Sequence, residues 1–150
     1  MKKFVRLENN DIIPIEEGRY YEKDGCLYTT DFHACIGKIK AQADKIEHLV
    51  CLYDLVHVNF DYRRITRLVF VGASSEWHYE SETGFDRIYP REITQIYAPI
   101  YDLNPRAYHI QKGWKLIAYK YYDQEHSGVE PKWVIYRDTL DHCARTANKY

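Results

Sequence analysis

A chain of 150 residues with 45% apolar and 29% charged side chains is sized for one folded core, and its composition excludes a disordered or fibrous protein. With 21 basic against 22 acidic residues the formal charge is −1, which excludes both a polyanion mimic and a protein that coats nucleic acid by charge alone. The apolar runs are too short to span a bilayer, and "MKKFVRLENND" lacks the apolar segment of a leader or anchor, so the expectation is a single α+β domain over residues 1–150, cytoplasmic and without a membrane partner.

The first third reads as paired strands. "KFVRLENNDIIPI" sets Asn9-Asn10 between two apolar runs, and "RYYEKDGCLYTT" does the same with Asp24-Gly25. Both dipeptides tolerate the positive φ of a tight hairpin. Phe4 and Arg6 alternate with Val5 and Leu7, and Tyr20 and Glu22 with Tyr21 and Lys23, as half-buried antiparallel strands would. In "ACIGKIKAQA" the apolar phase changes across Gly37, where a bulge would reconcile Ile36 with Ile39.

"KIKAQADKIEHLV" then switches code. Asp44 with Glu47 forms a capping-box-like pair, and Ile46, Leu49 and Val50 share one helical face, which predicts a short helix followed by a strand through Val56, Val58 and Phe60. Between them, residues 51–60 fit helix and strand almost equally. "RITRLVFVGAS" is a strand stopped by Gly72, and "SEWHYESETGFDRIYPRE" is the long loop. "ITQIYAPIYDL" holds a strand that Pro99 interrupts, marking an edge or a strand end. "YHIQKGWKLIAYKYYD" and "KWVIYR" complete the strands, and "DTLDHCARTANKY" is a helical pattern capped by Asp138 or Thr139. The fold expectation is therefore mainly antiparallel or barrel-like β-sheet with one short internal helix and a C-terminal helix.

"KFVRLENNDIIPI" and "KAQADKIEHLVCLYDLVHV" together resemble a set of uncharacterised accessory proteins of phages and prophages of Gram-positive bacteria, which begin with an F-V-R-L-E-N strand and carry a K-Q-A-D-x-I-E-x-L-C segment. Gln42, Ala43, Asp44, Ile46, Glu47 and Leu49 match that segment, while Val50 displaces the cysteine to Cys51. The resemblance covers about the first 60 residues. It implies a mobile-element origin and a bacterial cytoplasm, and brings no catalytic residues. A helical turn before a strand is more often a connector than a site, so Ile46 and Leu49 are expected to be buried against the sheet.

Chemistry is sparse. Cys26, Cys35, Cys51 and Cys143 form no C-x-x-C pair, as unpaired thiols of a reducing compartment would not. Cys26, His33 and Cys35 could serve as zinc ligands, but their spacing matches no zinc pattern, and structural thiols are the preferred reading. None of the seven histidines lies in an H-x-x-x-H or H-E-x-x-H spacing, and no phosphate-cradling glycine loop or nucleophile elbow is present. An enzyme is not expected, the least favoured reading being a small hydrolase using His33 or His142; no cofactor and no metal is assigned.

Contact is the better theme. Tyrosine supplies 15 residues, many of which must sit half-buried with a hydroxyl seeking a partner. Trp77 and Tyr79, in a polar segment, are costly to leave in water and either fold back or meet a partner. With Tyr119, Tyr121 and Tyr122 they form the expected partner-binding set. The leading expectation is a non-enzymatic accessory protein that binds a host protein, of which inhibition of a bacterial defence system is one example. The alternative is a nucleotide- or nucleic-acid-binding module whose phosphate ligands would be Arg63 and Arg67, on one strand face with Tyr62 and Arg64 on the other, and Lys115 and Lys120 beside tyrosines. Edge strands are compatible with a homodimer.

Overall fold

The computed structural model describes residues 1–82, 84, 87–99, 110–111, 113–121 and 131–136. They hold thirteen strands and two short 3-10 turns, and every strand pairing is antiparallel. The chain divides into two compact units, Met1–Val50 and Cys51–Tyr150.

In the first unit, β1 (Phe4–Leu7), β2 (Ile12–Pro14), β3 (Tyr20–Lys23), β4 (Cys26–Thr29) and β5 (Cys35–Ala43) form a sheet of order β2-β1-β5-β4-β3. Two hairpins thus flank a long central strand. The β3–β4 turn is the expected one: Asp24 and Gly25 adopt φ of 52° and 76°, and Lys23 pairs with Cys26. The β1–β2 connection is wider. Leu7 N–H donates to Asp11 O and Asn10 N–H to Leu7 O, with Asn10 at φ 72°.

Val5, Leu7 and Leu27 make this unit's core, packed by Ile13, Ile15, Tyr20, Ile36 and Ile39. The irregularity expected at Gly37 falls on its neighbours. Ile36 is skipped in the β4–β5 register and Lys40 in the β1–β5 register. A Cβ at Gly37 would stand 3.3 Å from Leu7 Cδ1, closer than ordinary van der Waals contact.

The expected internal helix is replaced by a single 3-10 turn, Ile46–Leu49. Asp44 does not cap it. Its Oδ1 accepts the Lys3 N–H at 3.1 Å and its Oδ2 lies 3.5 Å from Lys2 Nζ, so the carboxylate ties down the start of β1. The Lys3 N–H, with Lys2 beside it, holds the Asp44 carboxyl below the usual range against a smaller desolvation penalty. Lys45 is left at the cap position without a side-chain bond. Ile46 and Leu49 are nevertheless buried, and the turn packs on β1 and β5, as a connector should.

In the second unit, β6 (Leu55–Val58), β7 (Asp61–Val71), β8 (Glu76–Ser81), β9 (Arg87–Ile88), β10 (Gln95–Pro99), β11 (Ile110–Gln111), β12 (Trp114–Tyr121) and β13 (Lys132–Ile135) form a sheet of order β11-β12-β10-β6-β7-β8-β9, with β13 also on β12. The stretch read as a long loop contains two strands, because Glu76–Ser81 pairs back along β7 and then with β9. Its alternation of Trp77 and Tyr79 with His78 and Glu80 was a strand pattern masked by polar residues. Pro99 stands at the end of β10, where it interrupts no ladder. Phe60 leaves the phase of Val56 and Val58: Asn59 and Phe60, at φ 50° and 65°, form a two-residue turn that leaves Phe60 99% exposed.

Residues paired across the ladders share a sheet face. One face carries Val56, Ile65, Ile96 and Ala118, all fully buried. The other carries Leu55, His57, Tyr62, Arg64, Tyr97, Leu116, Trp114 and Tyr119. The expected C-terminal helix, with His142 and Cys143, lies outside the described residues. Among the described residues, no helix is long and apolar enough to cross a membrane.

Candidate functional site

The aromatic face of the second unit opens into a cleft of about 250 Å³ lined by Leu55, Asp61, Tyr62, Arg63, Arg64, Ser81, Glu82 and Trp114. Its geometry begins in the turn before β6. Asp54, fully buried, accepts the Cys51 N–H through Oδ2 at 2.7 Å, and this bond folds Cys51–Asp54 into a turn in a stretch whose residues fit helix and strand almost equally. Tyr53 is driven to φ 70° and its ring is left 51% exposed.

The Arg64 guanidinium lies 5.3 Å from the Tyr53 ring centroid, and its Nη1 is 3.4 Å from Glu82 Oε1. Trp114 Nε1–H donates to Tyr53 O at 2.9 Å, fixing the indole beside the turn. The Tyr62 ring is tilted against His57 at 4.8 Å between centroids and stands edge-on to Tyr97 at 5.9 Å. His57 Nδ1 is 2.8 Å from Thr94 Oγ1, and Tyr97 Oη–H donates to Gln95 Oε1 at 2.6 Å. Burial, with Tyr62 adding to it, pushes the Tyr97 phenol far above its ordinary value. Asp61 and Glu82 balance Arg63 and Arg64, so the cleft presents flat rings and paired charges without a net sign.

Sequence reasoning placed Tyr62 and Arg64 on one strand face, and that face is part of this cleft. It missed Tyr53, whose only signal was an aspartate one residue later able to bond back to the chain.

The expected phosphate ligands do not converge. β7 is bulged at Thr66, so Ile65 pairs with Ser81 and Arg67 with Glu80, which turns Arg67 to the face opposite Arg63. Arg63 Nε lies 3.8 Å from Asp61 Oδ2, and Arg67 Nη1 3.7 Å from Glu80 Oε2. Lys120 donates to Arg91 O at 2.7 Å and lies over the Trp133 ring, while Lys115 is half-buried opposite Ala98.

The expected partner-binding set also divides. Trp77 is 52% exposed and pairs across the β7–β8 hairpin with Phe70, ring centroids 5.3 Å apart. Tyr79 is 1% exposed and belongs to the interior. Tyr119 is half-buried against Leu55, Tyr97 and Leu116, Tyr121 is exposed, and Tyr122 lies outside the described residues.

In the first unit, His33 Nδ1 is 2.9 Å from the Tyr21 hydroxyl, and Tyr21 stacks on Tyr28. Among the described residues no three His, Cys, Asp or Glu side chains group as a metal site, so Cys26, His33 and Cys35 do not form the zinc trio. Compared with known proteins, the chain matches no family model, no curated sequence and no solved structure.

Proposed function

We propose that this chain is a non-enzymatic binding protein that acts by contact with a protein partner. The observation that carries the proposal is the cleft lined by Tyr62, Arg64 and Trp114, with the exposed Tyr53 ring held against Arg64 by a cation–π contact and its carbonyl bonded to the Trp114 indole. Aromatic rings and arginine contribute most of the energy at protein interfaces, because they bury large area at little entropic cost. A cleft of this size accommodates one large side chain of a partner, and the balanced charges at its rim set orientation more than attraction. Exposed Phe70 and Trp77 add a second aromatic contact point on the β7–β8 hairpin.

The resemblance of the first 60 residues to phage and prophage accessory proteins supports a bacterial host protein as the partner. Inhibition of a defence component is one form that such contact takes. Phosphate-driven binding through Arg63, Arg67, Lys115 and Lys120 has less support, since the Thr66 bulge separates the two arginines and both have acidic neighbours.

The test is retention of a discrete host protein on immobilised chain at high salt, compared with Tyr53→Ala/Tyr62→Ala of unchanged unfolding midpoint. The double variant should lose the retained protein. Retention that survives both changes, or that fades as salt rises, would overturn the reading.

A further inference from the structure

The outer face of the first unit holds a feature that the proposed binding cleft does not use. Cys26 stands in β4 and Cys35 begins β5; Tyr28 pairs with Cys35, and Cys26 lies two residues before Tyr28, so both thiols point to the same face of adjacent strands. The bulge at Ile36 shortens the diagonal between them, since two residues of β5 occupy the span of one residue of β4. The connection between the strands is held shut by Thr29 N–H donating to Ala34 O at 2.9 Å and Ala34 N–H donating to Thr29 Oγ1 at 3.2 Å. Cys35 is exposed and Cys26 half-buried.

From this placement we infer that Cys26 and Cys35 form an oxidation-sensitive dithiol, a modification site at which a peroxide converts the pair to a cross-strand disulfide. The exposed Cys35 reacts first. Its thiolate attacks one oxygen of hydrogen peroxide, forming an S–O bond as the O–O bond breaks, and the departing hydroxide is protonated to water. Cys26 then gives up its proton and attacks the Cys35 sulfenic sulfur; the S–S bond forms, the S–O bond breaks, and a second water leaves. Two thiols lose two electrons and two hydrogens, peroxide is reduced to two waters, and a thiol reductant reverses the change.

Desolvation, with the neighbouring Cys35 adding to it, raises the Cys26 thiol above its ordinary value, which suits Cys26 to the second, resolving step. The stacked Tyr21 and Tyr28 rings lie beside the pair, so the cross-link would form on an aromatic surface without entering the Val5–Leu7–Leu27 core.

The experiment treats the reduced full chain with hydrogen peroxide, blocks remaining thiols with iodoacetamide, and reads intact mass and a peptide map. Wild type and Cys51→Ser/Cys143→Ser should both lose the mass of two hydrogens, with the bridge mapped between Cys26 and Cys35. Cys35→Ser should form no bridge, and Cys26→Ser should instead accumulate a Cys35 sulfenic acid that dimedone traps. The inference is overturned if both thiols of Cys51→Ser/Cys143→Ser stay alkylatable after peroxide, or if the wild-type bridge maps to Cys51 or Cys143. Host-protein retention at the cleft is a separate readout, so either idea can fail alone.

Discussion

Arg6, fully buried in the first strand, is gripped by Asn10 from the turn that follows it, with Nη2 2.9 Å and Nε 3.3 Å from Asn10 Oδ1. Lys40 Nζ donates to the same oxygen at 3.1 Å, and Arg6 Nη1 donates to Leu49 O at 2.9 Å. One amide oxygen therefore collects donors from β1 and β5, and one arginine joins the turn to the connector Ile46–Leu49. This buries the strand face that alternation had assigned to solvent.

Asn10→Gly preserves access to φ 72° but deletes the acceptor that two Arg6 nitrogens and Lys40 share; urea unfolding should show a loss of about 1–3 kcal/mol. Asn10→Ala should lose more, because it adds strain at a positive φ. A glycine variant as stable as wild type would show that the oxygen contributes nothing.

Leu49 has no exposed surface, and the turn that carries it packs on β1 and β5. Leu49→Asp should place a carboxylate among buried apolar side chains and destabilise the first unit by about 3 kcal/mol or more. Amide exchange across β1 and β5 is the measurement. Native protection in the variant would remove Leu49 from the core.

Trp77 and Tyr79 differ by two residues and should differ widely in cost. Trp77→Ala gives up one cross-strand ring pair with Phe70, about 1 kcal/mol. Tyr79→Ala empties an interior site and should cost about 3–5 kcal/mol. Thermal unfolding of the two variants side by side decides between them, and a large loss for Trp77→Ala would place that indole in the core.

Tyr97 makes stability fall in alkali. Its phenol is held above the unfolded value of about 10, so the folded state keeps a proton that the unfolded chain releases. The resulting stability is fully present below about pH 10 and declines as pH rises from there toward the folded value. Tyr97→Phe should flatten that decline while losing about 1 kcal/mol at neutral pH through the missing bond to Gln95. Unfolding free energy measured across the alkaline range gives the comparison; identical slopes would contradict the burial of this hydroxyl.

Strands were readable wherever one local rule acted alone. Asp24-Gly25 can supply two positive φ angles cheaply, so its hairpin was legible, whereas Asn59-Phe60 forms the same kind of turn with a bulky ring and was not. The connector Ile46–Leu49 was legible as a buried joint but not as a 3-10 turn, because the capping oxygen of Asp44 is claimed by Lys3, 41 residues away in sequence. Of the cleft, Tyr62 and Arg64 could be placed on one face by period two, while Tyr53 and Trp114 could not be joined to them.

The sequence by itself determined the antiparallel β character of the described residues, the turns at Asn10 and Asp24-Gly25, and the burial of Ile46 and Leu49, because each follows from spacing and side-chain chemistry within a few residues. Tertiary structure decided which side chains meet. The extra residue at Thr66 sends Arg67 away from Arg63, and the indole of Trp114 reaches Tyr53 across 61 positions. The physical reason is that a strand fixes a side chain's face only until a bulge resets it, and ladder partners are chosen by the energy of the whole sheet.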